Sequence, residues 1–186
     1  MKRVFDLALA LALAPLLAVI MVFVALAVKI TSPGPVLYFS ERVGRHRKHF
    51  PMAKVRSMKI DTPQVATHLL ADPHNHLTPI GGFLRKTSLD EIPQLWNIIK
   101  GDMSFVGPRP ALFNQDDLVA LREKYGINDL RPGLTGWAQV NGRDELSIPD
   151  KVEMDLYYKE RQSFPLDIYI LFLTFIKAIT GHGVKH

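Results

Sequence analysis

Two adjacent carboxylates, Asp90 and Glu91, stand immediately before the apolar run Ile92-Pro93-Gln94-Leu95-Trp96-Asn97-Ile98-Ile99. Ser88 with Glu91 three residues on matches a capping box, and Pro93 suits a first helical turn, so an amphipathic helix is expected to start between Ser88 and Asp90. Adjacent helical residues project about 100° apart, so one carboxylate can attack an electrophile while its neighbour holds a metal ion. The plainer reading of the same pair is capping, because acidic residues in a first turn offset the helix dipole. The surrounding residues favour chemistry on phosphate. Arg85 and Lys86 lie just upstream, and Gly101-Asp102-Met103-Ser104-Phe105-Val106-Gly107-Pro108-Arg109-Pro110 follows the run. Arg109 is flanked by two prolines, whose fixed φ restricts the backbone and can aim a guanidinium at a phosphate. A third stretch, Leu130 to Arg143, holds Arg131, Arg143, Trp137 and three glycines. Glycine amides can cradle phosphate and a tryptophan can stack on a base or sugar, but the spacing is that of neither a P-loop nor a dinucleotide fingerprint.

The elements that must position these residues begin with a membrane device. Leu7 to Val28 is a run of 22 residues without a charge, enough for a helix of roughly 30 Å. It exceeds the apolar core of about 7 to 15 residues of a signal peptide. Both flanks are basic, with Lys2 and Arg3 before the run and Lys29, Arg42 and Arg45 at or after its end, which argues against a simple crossing. Pro15 removes one helical hydrogen bond and clashes with the preceding turn, so a kink is expected. A bent helix that re-enters one leaflet and a straight spanning helix both satisfy this pattern.

Thr31-Ser32-Pro33-Gly34-Pro35 ends that helix, and Val36 to Val43 with His49 to Met58 reads as a β-hairpin around Gly44-Arg45-His46. Between Glu41 and Lys59, seven Lys or Arg, among them Lys54 and Arg56, face one Glu, a balance suited to anionic headgroups or a pyrophosphate. Asp61 to His76 reads as a loop, because Asp72, His74 and His76 lack metal-ligand spacing. Short helices are expected over Gln115 to Tyr125 and Ile148 to Glu160. Leu166 to Ile179 is nearly all apolar, but its 14 residues are too few to span, which leaves a core or interfacial helix. The fold expected is α+β and mainly helical, with residues 1–32 as anchor and 33–186 as a catalytic domain. The chain has no cysteine, which excludes disulfides and thiolate metal sites, and its net charge of +5 suits phosphate-bearing partners. Nucleic acid is not expected among them, because an apolar anchor and a carboxylate pair are not what a phosphate-tracking surface needs.

These blocks together resemble the bacterial sugar transferase family, the monotopic phosphoglycosyl transferases. The resemblance runs from Lys2-Arg3-Val4-Phe5-Asp6 through Lys54-Val55-Arg56-Ser57-Met58, the Asp90-Glu91 pair and the Gly101–Pro110 stretch to the Arg131-Pro132-Gly133 loop. It implies a re-entrant helix kinked at Pro15, although Ala14 stands where the family often has serine. It further implies Asp90 as nucleophile, Glu91 as a magnesium ligand and Arg109 as a phosphate grip. Asp102 matches a family position near the pair, either supporting the metal or capping a turn. Arg85, Arg131, Arg143, Lys54 and Arg56 are the remaining candidates for substrate binding. The implied reaction moves a phosphosugar from a UDP-sugar to polyprenyl (undecaprenyl) phosphate through an aspartyl-phosphosugar intermediate, releasing UMP. It would be the first membrane step of glycoconjugate assembly, on the cytoplasmic face of the bacterial inner membrane among membrane lipids. A lipid-binding surface module and a nucleotide-sugar hydrolase are the rivals; the first predicts no turnover to lose at Asp90, the second no need for an acceptor.

Overall fold

A computed structural model describes residues 1–63, 65, 72–142 and 146–180. Helix α1 runs from Lys2 to Thr31, with Pro15 inside it, and is long and apolar enough to cross a membrane. Its side chains bury at the two ends only: Asp6 and Ala10 near the start, Val24 and Val28 near the finish. Residues 11–23 contain no buried side chain. The start is pinned by charge. Arg3 donates to the carbonyls of Ile98 and Ile99, and the Lys2 ammonium pairs with Asp167 at 2.6 Å. Asp6, 2% exposed, accepts from the Ser104 hydroxyl at 2.8 Å and the Phe105 amide at 3.2 Å. At the finish, Ser32 accepts from Arg56 through both its hydroxyl and its carbonyl, each at 2.9 Å.

Strands β1 (Leu37–Val43) and β2 (His49–Val55) form the expected antiparallel hairpin, with Leu37 opposite Val55 and Val43 opposite His49. His46 and Arg47 take positive φ in the turn. Helix α2 (Gly81–Lys86) and a 3-10 turn (Leu89–Glu91) lead into α3 (Gln94–Lys100). Strand β3 (Ser104–Val106) follows, then α4 (Asp116–Lys124) and β4 (Gly133–Thr135), which pairs with β3 in parallel. The chain continues as α5 (Trp137–Val140), α6 (Ile148–Arg161) and α7 (Phe164–Thr180). The α+β, mainly helical reading therefore holds. Helix α7 is longer than expected by sequence, starting at Phe164, yet at about 1.5 Å per residue it still falls short of a bilayer core.

Among the described residues, three apolar clusters hold these elements together. The main one joins Ala10 of α1 to Phe50 and Met52 of β2, Ile98 of α3, Phe105 of β3 and Ile170 of α7. A second packs Val24 and Val28 against Val55 and Leu84, and a third joins Val43 to Leu118, Ile127 and Val152. Clusters one and two meet the same strand, β2, so both ends of α1 rest on one body.

Candidate active site

The capping box expected at Ser88 does not form. Ser88 sits at φ 57°, in the left-handed region, and its side chain caps nothing. The 3-10 turn it opens places Asp90 and Glu91 ahead of α3 rather than on it, with Pro93 at the α3 N-cap. Two short elements thus replace one capped helix, and the tighter turn brings both carboxylates to one cation. The Lys54 ammonium lies 3.1 Å from Glu91 and 3.9 Å from Asp90. Lys54 is delivered by β2, one residue beyond Ala53, whose amide donates to the Asn97 side chain on α3 at 3.0 Å. That bond, with Asn97 donating back to the Pro51 carbonyl, locks hairpin and helix together and sets the distance between lysine and carboxylates.

Arg109 reaches the same carboxylate, its Nη2 lying 3.2 Å from Glu91 Oε1. The sequence reading of glycine as a phosphate cradle is corrected at Gly133 and Gly136, which pack on the backbone of Gly107. A Cβ on Gly133 would lie 2.1 Å from the Gly107 nitrogen, and one on Gly136 would lie 2.1 Å from the Gly107 oxygen. These glycines permit backbone to meet backbone where β3 and β4 pair, with Gly107 donating to Thr135 and Gly133 donating to Pro108, both at 2.9 Å. The pairing carries Pro108-Arg109-Pro110 to the carboxylates.

Burial works against full ionisation throughout this cluster. Burial pushes the Asp90 carboxyl above the usual aspartate range, with Lys54 opposing and Glu91 reinforcing the shift. Burial lowers the Lys54 ammonium, against the pull of Glu91 and Asp90. Arg42, on β1, stands out in the sequence only as a flanking charge. Burial first and the Arg109 guanidinium second push it down to about 10, and its Nη1 donates to the Pro110 carbonyl at 3.2 Å. Its signal in the sequence was membership of the basic run, which does not say which of seven cations turns inward. Arg85 acts on Asp90 from α2. Four cations, Arg42, Lys54, Arg85 and Arg109, therefore surround two carboxylates, an arrangement suited to receiving a multiply charged anion.

Other candidates stand elsewhere. Arg56 is 5% exposed and its fork is occupied by Ser32 and the Pro35 carbonyl, which makes it a pin for the end of α1, not the substrate contact expected. Arg131 donates to the Gly101 carbonyl at 3.1 Å and braces the turn after α3. Asp102 lies beyond the far end of α3, pairing with Lys100 at 3.2 Å and accepting from Asn97 at 3.3 Å. Trp137 is half-buried and stacks on Tyr157 with centroids 5.2 Å apart, so that ring face is already covered. Arg143 falls outside the described residues. Among the described residues no three His, Cys, Asp or Glu side chains cluster, His74 and His76 included. Magnesium is commonly held by one or two carboxylates with water and substrate phosphate completing its shell, and the hard oxygens of Asp90 and Glu91 fit that donor set.

The family model described as "Bacterial sugar transferase" matches residues 1–181. The chain is 41% identical over 186 residues to "Uncharacterized sugar transferase EpsL" of Bacillus subtilis, covering all of this chain and 90% of that protein. It is 42% identical over 190 residues to the "UDP-glucose:undecaprenyl-phosphate glucose-1-phosphate transferase" of Escherichia coli, covering 97% of this chain. It is 36% identical to the "UDP-N-acetylgalactosamine-undecaprenyl-phosphate N-acetylgalactosaminephosphotransferase" of Aeromonas hydrophila, covering 99% of this chain. The chain spans only 40% and 45% of the length of these last two relatives.

Proposed function

Because the chain belongs to the bacterial sugar transferase family, we propose that it transfers a phosphosugar from a UDP-sugar to undecaprenyl phosphate. The observation that carries this reading is the pair of carboxylates, Asp90 buried and Glu91 half-buried, bridged by Lys54 with Arg109 on Glu91, since attack on a diphosphate needs a nucleophile and cations to receive the charge. Asp90, 6% exposed, is the nucleophile. Its carboxylate oxygen bonds to the sugar-linked β-phosphorus, the bond from that phosphorus to the bridging oxygen breaks, and UMP leaves. An oxygen of the lipid phosphate then attacks the same phosphorus, the aspartyl bond breaks, and the product is a lipid diphosphate-sugar. Burial supports this role because a poorly hydrated carboxylate attacks more readily than one that must first shed water. Arg109, Arg42 and Arg85 grip the phosphates, and Lys54 holds the two carboxylates in register until the donor's charge competes for it. Glu91, with Asp90 beside it, would hold a magnesium ion, which when bound screens the diphosphate and stabilises the departing phosphate.

The enzyme works at the cytoplasmic face of the cell membrane, with α1 re-entering the leaflet it came from. Three features support this: basic residues at both ends of α1, buried contacts to one body at both ends, and an unburied middle that contains Pro15. The test is UMP release from a panel of UDP-sugars with magnesium and undecaprenyl phosphate, for wild type and Asp90→Asn. Acceptor-dependent release that vanishes in the variant is expected. Acceptor-independent release would point to a hydrolase, and no release from any donor would sink the transferase. A panel is needed because relatives named for glucose, N-acetylgalactosamine and galactose are similar to this chain to nearly the same degree, at 42%, 36% and 37% identity. Intact-protein mass without acceptor should show one phosphosugar adduct, absent in Asp90→Asn.

A further inference from the structure

Pro108-Arg109-Pro110 has one amide N–H among three residues, because proline has none. Its position must therefore be set through its carbonyls, and all three accept. The Pro108 carbonyl takes the Gly133 amide at 2.9 Å, and the Pro110 carbonyl takes Arg42 at 3.2 Å. The Arg109 carbonyl takes Nη1 of Arg122 at 2.9 Å. The same Arg122 guanidinium donates Nε at 3.0 Å and Nη2 at 2.6 Å to Asp155 Oδ2. Arg122 stands on α4 and Asp155 on α6, 6% and 1% exposed. A buried ion pair is a poor way to stabilise a fold, since apolar residues of similar volume often do as well or better. What a planar fork adds is a fixed direction, and here its free edge is directed at the backbone of the residue that reaches Glu91.

We propose that the Arg122–Asp155 pair is a positioning device for Arg109, fixing its carbonyl so that its guanidinium meets the donor's phosphate. The inference rests on the phosphate-transfer reading above. Displacing Arg109 by an ångström would misalign the grip without touching the nucleophile, and misplacements of that size cost about a hundred-fold in rate.

The experiment is a double-mutant cycle. Arg122→Met with Asp155→Val replaces the pair by apolar side chains of similar size, in the wild-type and Arg109→Ala backgrounds. Thermal midpoint, kcat/KM for UMP release and UDP affinity by calorimetry are read for each. In the wild-type background, kcat/KM should fall roughly ten- to hundred-fold and UDP bind more weakly, at a nearly unchanged melting temperature. In the Arg109→Ala background the same change should add less than about two-fold, because the two sites then act as one unit. Equal proportional losses in both backgrounds, or no loss in either, overturn the proposal. If the apolar pair does not fold, Arg122→Lys retains the charge without the fork and runs the same cycle. A wild type that binds UDP but releases no UMP sinks the transferase reading while the affinity cycle still decides the positioning role. A wild type that binds no UDP overturns both.

Discussion

At the scale of single residues, the site is governed by burial acting on opposite charges in opposite directions. Asp90 is raised and Lys54 lowered, each from its ordinary range toward neutrality. Activity should follow a bell in pH whose limbs are both drawn inward. In the proposed reaction attack requires ionised Asp90, so kcat/KM is expected to be lost as pH falls through a value above the ordinary 3.8 of an aspartate. In the same proposal the donor's phosphate competes for a protonated Lys54, so kcat/KM is expected to be lost as pH rises through a value below the ordinary 10.5 of a lysine. Measuring kcat/KM against pH for wild type and Lys54→Arg checks the assignment: the arginine should keep its proton and move the alkaline limb upward. An alkaline limb that stays in place would remove Lys54 from the account. Arg42→Ala should lower kcat/KM by about ten-fold or more, mainly through KM, since a charge-assisted contact is worth roughly 1.5–3 kcal/mol. Steady-state kinetics across donor concentration decide it, and an unchanged KM would return Arg42 to a purely structural role on the Pro110 carbonyl.

At the scale of elements, α1 carries two separable claims, one about anchoring and one about topology. Asp6 satisfies the Ser104 hydroxyl and the Phe105 amide in a buried place. Asp6→Ala leaves both unpaired, at a cost of about 1–3 kcal/mol each, and a melt in detergent should show a midpoint several degrees lower. An unchanged midpoint would mean that water reaches those groups. Topology can be read with thiol labels, because the chain has no native cysteine to interfere. Val4 and Thr31, both exposed, flank the apolar run. Single Val4→Cys and Thr31→Cys variants should both resist a membrane-impermeant reagent added outside spheroplasts and both react once the cells are opened. Labelling of one site from outside would establish a spanning helix instead.

At the scale of the whole molecule, apolar surface gathers on α1 and α7. Phe164, Tyr169, Phe172 and Phe175 of α7 are each at least half exposed, while Ile170 is buried in the main core and Asp167 is held by Lys2 and Tyr158. The same Lys2–Asp167 contact ties α7 to the first turn of α1, beside the edge-on packing of Phe5 on Phe164. We expect a helix with such an exposed aromatic face to lie in an interface with that face in lipid. Phe172→Asp with Phe175→Asp should weaken flotation with vesicles and cut activity toward the lipid acceptor several-fold, with UDP affinity unchanged. Unaltered flotation would assign that face to something other than lipid.

The sequence alone determined what depends on composition and local order. The apolar run, the hairpin, the α4 and α6 helices, and the Asp90–Glu91 and Pro108–Pro110 segments were legible because period, turn chemistry and residue type act within a few neighbours. The capping box failed for a reason no local pattern holds: Ser88 adopts a left-handed conformation, and the turn after it delivers both carboxylates to Lys54. Which cations serve the site was likewise a tertiary decision. Arg42, Arg56, Arg122 and Arg131 are alike as residues. One stands beside Arg109, one pins α1, one clasps a carbonyl from behind, and one braces a turn. A guanidinium's role follows from which acceptors surround it, and for these four the acceptors come from segments up to 68 residues away, brought together by packing that local sequence does not encode.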